Sequence, residues 1–421
     1  MSERAGGPRA PSAAGVPLLA VLGALGALGL ASAPSVRAAT SEASSSFEPI
    51  RAERYFEPVE IAPVGAGERV FAFQGDAWIA VPQQRLPGAV PTAVVLAESI
   101  GGEAPAARAA GLRAVRVRDP LDEARGFFYV GTAPDAVGSD ASADFAPTLY
   151  ARESRRITAR CYDIAFEAHD PALFATLAVM PRCGGNGRNV FAGLESASQA
   201  RLIAIGVDVE TNRDDLVSEL LDLEGGPIVV LREIGYRVRL PFGRTTAEST
   251  QQARFYPYHY TFPVRLELPA IVDYVVSRLT IELSGWWRAD AAPFRVLTGA
   301  GGRAVLDGRG GDAPLPLDGE PFTGWRVSSD AATIANVLVL DPAAPFEARL
   351  RCGDQRVERA GVPAVGPLGF VLRSTGGVSG RAWRATSVTI FPRPGDERGP
   401  EEFTRLVAHP LEVAPGPRAD E

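Results

Sequence analysis

Short apolar runs, broken at close intervals by glycine and proline, dominate the chain from about residue 47 onward. Within several runs apolar and polar residues alternate, which is the pattern of a strand with one buried face. The 44 glycines and 35 prolines supply turn signals often enough to separate many short strands. The predicted strands cover residues 157–167, 201–210, 227–241, 263–269, 279–286, 334–340 and 387–391. We therefore predict an all-β fold, in which a small N-terminal β domain precedes a larger antiparallel β-sandwich with few short helices.

Helical spacing occurs in few places. Residues 212–222 begin with a capping residue and carry three leucines at helical spacing, so a short helix is predicted there. Residues 104–110 and 270–278 are predicted as two further short helices. Asp307 and Gly308 lie between apolar runs and predict a tight hairpin turn. The sequence shows no repeat of fixed period, which does not favour a propeller or a solenoid.

The N-terminal segment has the pattern of a secretory signal peptide. Arg4 and Arg9 precede an apolar run over residues 15–33, and a small-residue site ends at Ala38. Cleavage after about Ala38 predicts an exported protein, periplasmic or extracellular, with no membrane span in the mature chain. A retained N-terminal anchor is the alternative. The apolar run over residues 15–33 is only just shorter than the about 20 residues that a membrane-spanning helix needs.

Changes in composition divide the rest of the chain. The predicted divisions are a signal peptide over residues 1–38, a flexible spacer over 39–46, an N-terminal β domain over 47–150, a large β-sandwich over 151–415 and a disordered tail over 416–421. A boundary within the glycine-rich stretch near residues 290–320 is an alternative.

The basic residues of the chain exclude several kinds of chemistry, and its net charge disfavours one kind of partner. All 43 basic residues are arginine, so a lysine Schiff base, a Walker lysine and a Ser-Lys dyad are excluded. The predicted signal peptide removes three arginines and one glutamate, which leaves 40 arginines against 49 acidic residues and a net charge of −9. An acidic surface repels phosphate groups, so nucleic acid is not a predicted partner.

Three cysteines and three histidines limit metal and redox chemistry. An oxidising compartment permits a disulfide, and Cys161 with Cys183 closes a shorter loop than either makes with Cys352. The pairing stays open at this stage. The cysteine spacing matches no zinc motif, so neither a metal nor another cofactor is predicted.

Residues 254–262, with the sequence RFYPYHYTF, hold the main candidate site. In a regular strand, Arg254, Tyr256, Tyr258 and Tyr260 share one face. Arginine beside tyrosines suits a sugar, which needs hydrogen bonds and an aromatic surface. Packing of an aromatic strand inside a sandwich is the alternative. His259 is the candidate acid or base, with Tyr258 and Tyr260 as catalytic neighbours, since imidazole exchanges protons near neutral pH.

Four further positions are singled out. Arg232 falls on the apolar face of its predicted strand, where an arginine either pairs with a carboxylate or binds a ligand. Arg237 on the same strand is a second ligand-binding candidate. Trp286 and Trp287 should face opposite sides of a strand, so that one is buried and the other, assigned as Trp287, contacts a ligand. His409 alternates with Phe403, Val407, Leu411 and Val413, as residues of one strand would, and is predicted to lie in the core.

The strand patterns resemble those of β-supersandwich proteins, the fold of galactose-mutarotase-like and polysaccharide-lyase-associated domains. The pattern lies in a Gly226-Pro227 step before a long strand with embedded arginines, and in the later segments 366–370 and 409–411, which correspond to returning sheet edges. The resemblance covers about residues 151–415. It implies a supersandwich fold with a concave face, where catalytic members of the family use His, Tyr, Glu or Asn.

Three functions follow from these observations. The first is an exported, non-catalytic cell-envelope protein that binds a glycan or another envelope component. The second is a carbohydrate-active lyase or epimerase that uses His259 with nearby tyrosines and arginines. The third is an assembly factor for envelope proteins, which predicts an exposed apolar patch. No G-x-S-x-G or H-E-x-x-H motif is present, so serine hydrolases and zinc peptidases are disfavoured.

Overall fold

Antiparallel strands make up most of the protein, which confirms the predicted all-β class. The computed structural model describes residues 48–105, 107, 110–134, 137–138, 145–166, 174–204, 207–210, 216–238, 247–267, 275–311, 322–341, 346–359, 361–376 and 382–414. The predicted signal peptide, spacer and tail lie outside these residues. The division at residue 150 stays a prediction.

Twenty-six strands, four 3₁₀ turns and one α-helix are found among the described residues. The strands are β1 Pro58–Ile61, β2 Arg69–Gln74, β3 Ala77–Ala80, β4 Gln84–Leu86, β5 Thr92–Leu96, β6 Arg113–Arg118, β7 Arg125–Gly131, β8 Leu149–Ala151, β9 Arg156–Thr158, β10 Tyr162–Phe166, β11 Phe174–Val179, β12 Phe191–Ala204, β13 Val207–Glu210, β14 Leu216–Glu224, β15 Val230–Val238, β16 Ala247–Phe255, β17 His259–Glu267, β18 Val275–Arg288, β19 Phe294–Thr298, β20 Arg303–Leu306, β21 Phe322–Ser328, β22 Thr333–Leu340, β23 Phe346–Arg359, β24 Val362–Ser374, β25 Ala382–Ile390 and β26 Glu412–Ala414. The 3₁₀ turns are Ala52–Arg54, Ala97–Ser99, Pro181–Cys183 and Ala289–Ala291, and the helix α1 is Pro400–Ala408.

Two large sheets share the main hydrophobic core. The nine-stranded sheet has the order β14-β15-β16-β17-β25-β22-β21-β19-β20, and the long-strand sheet has the order β13-β12-β18-β24-β23. Trp325 on β21 lies 6.4 Å from Trp287 on β18 and 6.3 Å from Phe370 on β24, measured between ring centroids. The inward faces of the two sheets therefore pack against each other as a sandwich.

Three smaller sheets complete the fold. The four-stranded sheet β11-β10-β9-β8 packs on the main core, where Phe166 contacts Phe255 at 5.8 Å. The order β1-β5-β4 forms a three-stranded sheet, and β26-β6-β7-β2-β3 forms a sheet that joins strands from both ends of the described chain. The last sheet buries Phe128 on one face and Tyr129 on the other, in two separate apolar clusters.

The helix α1 occupies residues that the sequence pattern assigned to a strand. Pro400 takes the first helical position, the backbone N–H of Gly399 donates to Glu402, and Phe403 is fully buried. Phe403, Leu406 and Val407 all pack on the main core, and their i, i+3, i+4 spacing is that of one face of a helix. His409 therefore lies exposed at the end of the helix, and its predicted place in the core is wrong.

Other local predictions also differ from the structure. The predicted strand 157–167 is divided between β9 and β10, and the described residues 275–278 of the predicted helix 270–278 begin the strand β18. Residues 201–210 are divided between β12 and β13, which pair Ala204 with Val207. The described part of the predicted helix 212–222 is the strand β14. A register shift between Leu220 and Asp222 interrupts the period-two pattern of this strand, so its sequence resembles that of a helix. Asp307 and Gly308 do not connect two paired strands among the described residues, since β20 pairs with the preceding β19, and their N–H groups donate to the carboxylate of Asp354.

A disulfide joins Cys161 to Cys183, which is the shorter of the predicted loops. Cys352 is buried. No helix in the described part of the chain is both long enough and apolar enough to cross a membrane.

Candidate functional site

The tyrosine-rich segment is a hairpin and not a single strand. β16 ends at Phe255 and β17 begins at His259, and the N–H of Tyr256 donates to the carbonyl of His259 at 2.8 Å. Pro257 lies in the turn, where its fixed φ is favoured. The prediction that alternate residues of 254–262 share one face is therefore wrong, and Tyr258 lies at the tip of the hairpin.

His259 is a buried, neutral packing group. Its ring is 3% exposed and stacks on Tyr256, with 4.5 Å between centroids. Burial lowers the pKa of His259 to about 3, although a hydrogen bond to the backbone of Phe56 opposes the shift. The imidazole therefore stays uncharged at neutral pH and lies away from solvent.

Tyr260 lies deeper in the same core. Its ring contacts Tyr162 at 5.7 Å and Phe391 at 5.8 Å, and its hydroxyl hydrogen-bonds Thr389. Burial raises the pKa of Tyr260 well above its ordinary value. The phenol is therefore a structural group that keeps its proton.

Tyr258 presents its hydroxyl to a charged cluster. The ring is 1% exposed, but the hydroxyl donates to Oε2 of Glu98 at 2.5 Å and accepts from Nη2 of Arg393 at 2.7 Å. Burial and the charge of Glu98 raise the pKa of Tyr258 to about 12. Tyr258 is thus protonated at neutral pH and acts as a hydrogen-bond bridge.

Two arginines flank the Glu98 carboxylate. Arg160 places Nη1 3.5 Å from Oε1 of Glu98 and its guanidinium 5.5 Å from the Tyr258 ring. Arg393 pairs with Oε2 of Glu98 and lies 4.1 Å above the ring of Tyr55. We call these five residues, Tyr55, Glu98, Arg160, Tyr258 and Arg393, the arginine site.

Five segments contribute the residues of the arginine site, and Tyr55 lies directly after the 3₁₀ turn Ala52–Arg54. Glu98 lies in the 3₁₀ turn after β5, and Tyr258 is fixed by the N–H of Phe391, which donates to its carbonyl at 2.9 Å. Arg160 precedes Cys161, whose N–H donates to the carbonyl of Pro257 at 3.0 Å. The disulfide at Cys161 holds the same segment, so the two arginines are set against the hairpin by covalent and backbone bonds.

The guanidinium groups of this site retain unused donors. Within the described residues, Arg160 makes no hydrogen bond, since its approach to Glu98 is an ion contact, and Arg393 donates through Nη2 alone. Their side chains are 30% and 37% exposed, so the other N–H groups reach solvent. Two positive charges face one carboxylate. The site can therefore accept an added anion with planar oxygen pairs, which guanidinium groups bind in bidentate geometry.

In contrast to Arg160 and Arg393, the nearby Arg398 uses all three of its guanidinium nitrogens in hydrogen bonds within the protein. Its Nε and Nη2 both bind Asp396, and Nη1 donates to the carbonyl of Glu53 at 3.1 Å. Its side chain is 11% exposed. Arg398 is therefore saturated by the protein and holds a loop in place.

The other predicted ligand-binding residues lie outside the arginine site. Arg232 is 2% exposed and places its guanidinium carbon 3.7 Å from the centroid of Phe166. Arg254 and Tyr256 hydrogen-bond each other, and Arg254 also donates to Glu60 at 3.3 Å.

Arg237 lies on β15, where its backbone pairs with Glu248, and its side chain lies outside the described part of the structure. Trp287 packs in the main core against Phe191 and Phe294. Trp286 is also buried, so the prediction of one exposed tryptophan is wrong.

Sequence reasoning found one of the five residues of the arginine site. Tyr258 was singled out, whereas Glu98, Arg160 and Arg393 come from three distant segments that no motif connects. The adjacency of Arg160 to a half-cystine was the one local signal. In the described ranges, no group of three or more His, Cys, Asp or Glu residues is placed to hold a metal ion.

No protein-family model and no curated protein sequence matches this chain. Among solved structures, the chain is similar to a glycosyl hydrolase family 38 protein from Enterococcus faecalis, with a TM-score of 0.46, 10% identity, and coverage of 86% of this chain and 46% of the other. It is also similar to the Slr1438 protein from Synechocystis sp. PCC 6803, with a TM-score of 0.34, 10% identity, and coverage of 58% and 96%. A mutant of the heparan sulfate lyase HepC from Pedobacter heparinus gives a TM-score of 0.31 and 10% identity, with coverage of 61% and 38%. The chain thus spans less than half the length of the Enterococcus faecalis protein.

Proposed function

We propose that this protein is an exported, non-catalytic binding protein that holds an acidic glycan at the arginine site. The supporting observation is that Arg160 and Arg393 keep exposed N–H groups that no acceptor in the described part of the chain uses. The predicted signal peptide supports export.

A uronate carboxylate suits the unused donors. Its two coplanar oxygens match a guanidinium fork, and charge-assisted hydrogen bonds of this kind are stronger than neutral ones. Glu98 offsets one of the two positive charges, so the remaining charge favours one carboxylate at a time. Neutral sugars lack the charge that would make binding here favourable.

The contacts of Tyr258 support binding and not turnover. A base that removes a proton from a sugar must reach the substrate and lose its own proton near neutral pH. The pKa of Tyr258 is about 12, and its hydroxyl proton already bonds Glu98. His259 is buried with a pKa of about 3, so it gives the lyase or epimerase alternative no support.

The assembly-factor alternative gains no support from the described surface. The exposed large apolar residues come from five separate segments, namely Val90, Val137, Leu149, Val305 and Val413. Single exposed apolar residues are normal on globular proteins.

The test is binding of fluorescent oligouronates to the chain that begins at Ala39, measured by anisotropy. Arg160→Gln and Arg393→Gln should each weaken binding roughly tenfold or more, because each removes a charge-assisted contact. Arg309→Gln is the matched control, since the Arg309 side chain is 87% exposed and lies outside the site. Neutral oligosaccharides should not bind.

Two results would overturn the proposal. One is equal binding by both arginine variants and the wild type. The other is the appearance of unsaturated uronate when the protein is incubated with the same oligosaccharides, which would show turnover.

A further inference from the structure

The disulfide connects the arginine site to a second arginine-bearing segment of the chain. Arg160 of the arginine site directly precedes Cys161. Arg182 directly precedes Cys183, the other half of the disulfide. The Cα atoms of the two half-cystines are 5.3 Å apart, and neighbouring Cα atoms are about 3.8 Å apart, so the Cα atoms of Arg160 and Arg182 are separated by at most about 13 Å. Arg182 is therefore close to the arginine site through the disulfide, although it is distant in sequence.

Backbone hydrogen bonds also hold the segment that carries Arg182. The N–H of Met180 donates to the carbonyl of Cys161 at 2.8 Å. The 3₁₀ turn Pro181–Cys183 ends at Gly184, whose φ of 77° is a conformation that glycine adopts without strain. The backbone position of Arg182 is thus set before a ligand arrives, which lowers the entropic cost of a contact made there.

Arg182 carries an exposed positive charge. Among the residues that the structure describes, it forms no ion pair with a carboxylate, and its side chain donates no hydrogen bond. Arg156 is a contrasting case nearby, because it is 54% exposed but pairs with the carboxylate of Asp163. The guanidinium of Arg182 therefore retains its charge and its planar set of donors for a carboxylate of a ligand.

The charges of the two segments together match a ligand with more than one acid group. Arg160, Arg393 and Arg182 supply three positive charges, and Glu98 offsets one of them. Two positive charges remain, and a single uronate carries only one carboxylate. A chain of linked uronates carries one carboxylate on each ring. Once the first carboxylate is bound, linkage gives the next one a high effective concentration at the second place, so the chain binds more tightly than a single ring.

We propose that the ligand of the arginine site is an oligouronate with at least two acid groups, of which one binds Arg160 and Arg393 and another binds Arg182 on the other side of the disulfide. This inference rests on the proposed function and names the class of acidic glycan, a chain and not a single acidic sugar.

The test compares galacturonate with tetragalacturonate by isothermal titration calorimetry of the chain that begins at Ala39. The four carboxylates of the tetramer give a statistical gain of about fourfold, and the second contact should raise the total gain to about fortyfold or more. Arg182→Gln should weaken binding of the tetramer about tenfold and binding of the monomer less than about twofold, because only the tetramer reaches Arg182. Arg160→Gln should weaken binding of both ligands.

Arg188→Gln is the matched control. Arg188 is exposed and lies six residues after Arg182, so its replacement makes the same charge change in the same part of the chain. Its charge is directed at Asp290, whose pKa is lowered by a hydrogen bond from Arg288 and by the charge of Arg188. The control should bind both ligands as the wild type does.

Three results would overturn this inference while the proposed function stands, provided that Arg160→Gln still weakens binding. The first is a tetramer gain no larger than the statistical one. The second is equal tetramer affinity of Arg182→Gln and the wild type. The third is an equal loss in Arg182→Gln and Arg188→Gln, which would show a general attraction by positive charge. Wild-type affinity of Arg160→Gln for both ligands would instead overturn the proposed function. Because Arg182 is exposed, its variant should fold as the wild type does.

Discussion

Two groups of arginines and carboxylates in this protein differ in how fully the arginine is used. Arg54 is 1% exposed and donates to Asp119 at 2.7 and 2.5 Å, to Glu57 at 2.5 Å, and to two carbonyls at the end of α1. Arg160 and Arg393 are about a third exposed, and most of their N–H groups donate to no acceptor among the residues that the structure describes. A saturated arginine holds elements together, whereas an unsaturated arginine can still bind a ligand. The comparison predicts that variants of the first group change stability and variants of the second change binding.

Removal of Arg54 should have the largest effect. Arg54→Ala leaves Asp119 and Glu57 buried beside each other without a cation. The free energy of unfolding should fall by about 3–5 kcal/mol, as measured by urea denaturation. Arg118→Ala is the control, since the Arg118 side chain is 40% exposed and pairs with Glu123. A loss no larger than in the control would show that water reaches the two carboxylates and that Arg54 contributes little to the free energy of unfolding.

Removal of the disulfide should affect both stability and binding. Cys161 and Cys183 are 22 residues apart, and opening a loop of that size costs about 3 kcal/mol. The double variant Cys161→Ser/Cys183→Ser should also bind oligouronates more weakly, because Arg160 is next to Cys161. A reducing agent should change the wild type in the same direction and leave the double variant unchanged. Unaltered binding by a folded double variant would show that the hairpin alone positions Arg160.

Glu57 should make stability depend on pH. Burial raises the pKa of Glu57 to about 7, and the charge and hydrogen bond of Arg54 together with the N–H of Leu411 offset only part of this shift. The unfolded chain therefore loses this proton at lower pH than the folded protein does. The contribution to stability is complete below about pH 4.5 and is lost as pH rises to about 7, with a fall of about 2 kcal/mol between pH 5 and 7.

The matched comparison is Glu57→Gln against the wild type, each unfolded with urea at several pH values. The variant has no such titration, so its stability relative to the wild type should rise by about 2 kcal/mol from pH 5 to 7. Glu123→Gln, at an exposed ion pair, should show no such rise. A flat difference for Glu57→Gln would mean that Glu57 is ionised in the folded protein throughout this range.

The strands were predictable because alternation is local, but the sites were not. The strands β15, β17 and β22 were identified from period-two patterns, whereas α1 was missed because Phe403 and Val407 were assigned to an alternating strand. The strand β14 was mistaken for a helix because its register shift between Leu220 and Asp222 interrupts the alternation of apolar and polar residues.

The arginine site depends on contacts between distant residues. Glu98, Arg160 and Arg393 meet only because β5 and β25 end, and β10 begins, near the tip of one hairpin. The sequence also does not show whether the N–H groups of an arginine are all used in hydrogen bonds within the protein. Arg54 lies in a segment without distinctive spacing, and its partner Asp119 is 65 residues away.

Tyr258→Phe should have the smallest effect. It separates the contribution of the arginine site to stability from its contribution to binding. The lost hydroxyl removes hydrogen bonds to Glu98 and Arg393, so the free energy of unfolding should fall by about 1 kcal/mol. Oligouronate affinity should change by less than about threefold, because the hydroxyl proton is already committed to Glu98 and the guanidinium groups remain. Arg393→Gln provides the contrasting variant, with lost binding and little lost stability. A tenfold loss of affinity in Tyr258→Phe would instead place the phenol in direct contact with the glycan, as the catalytic alternative requires.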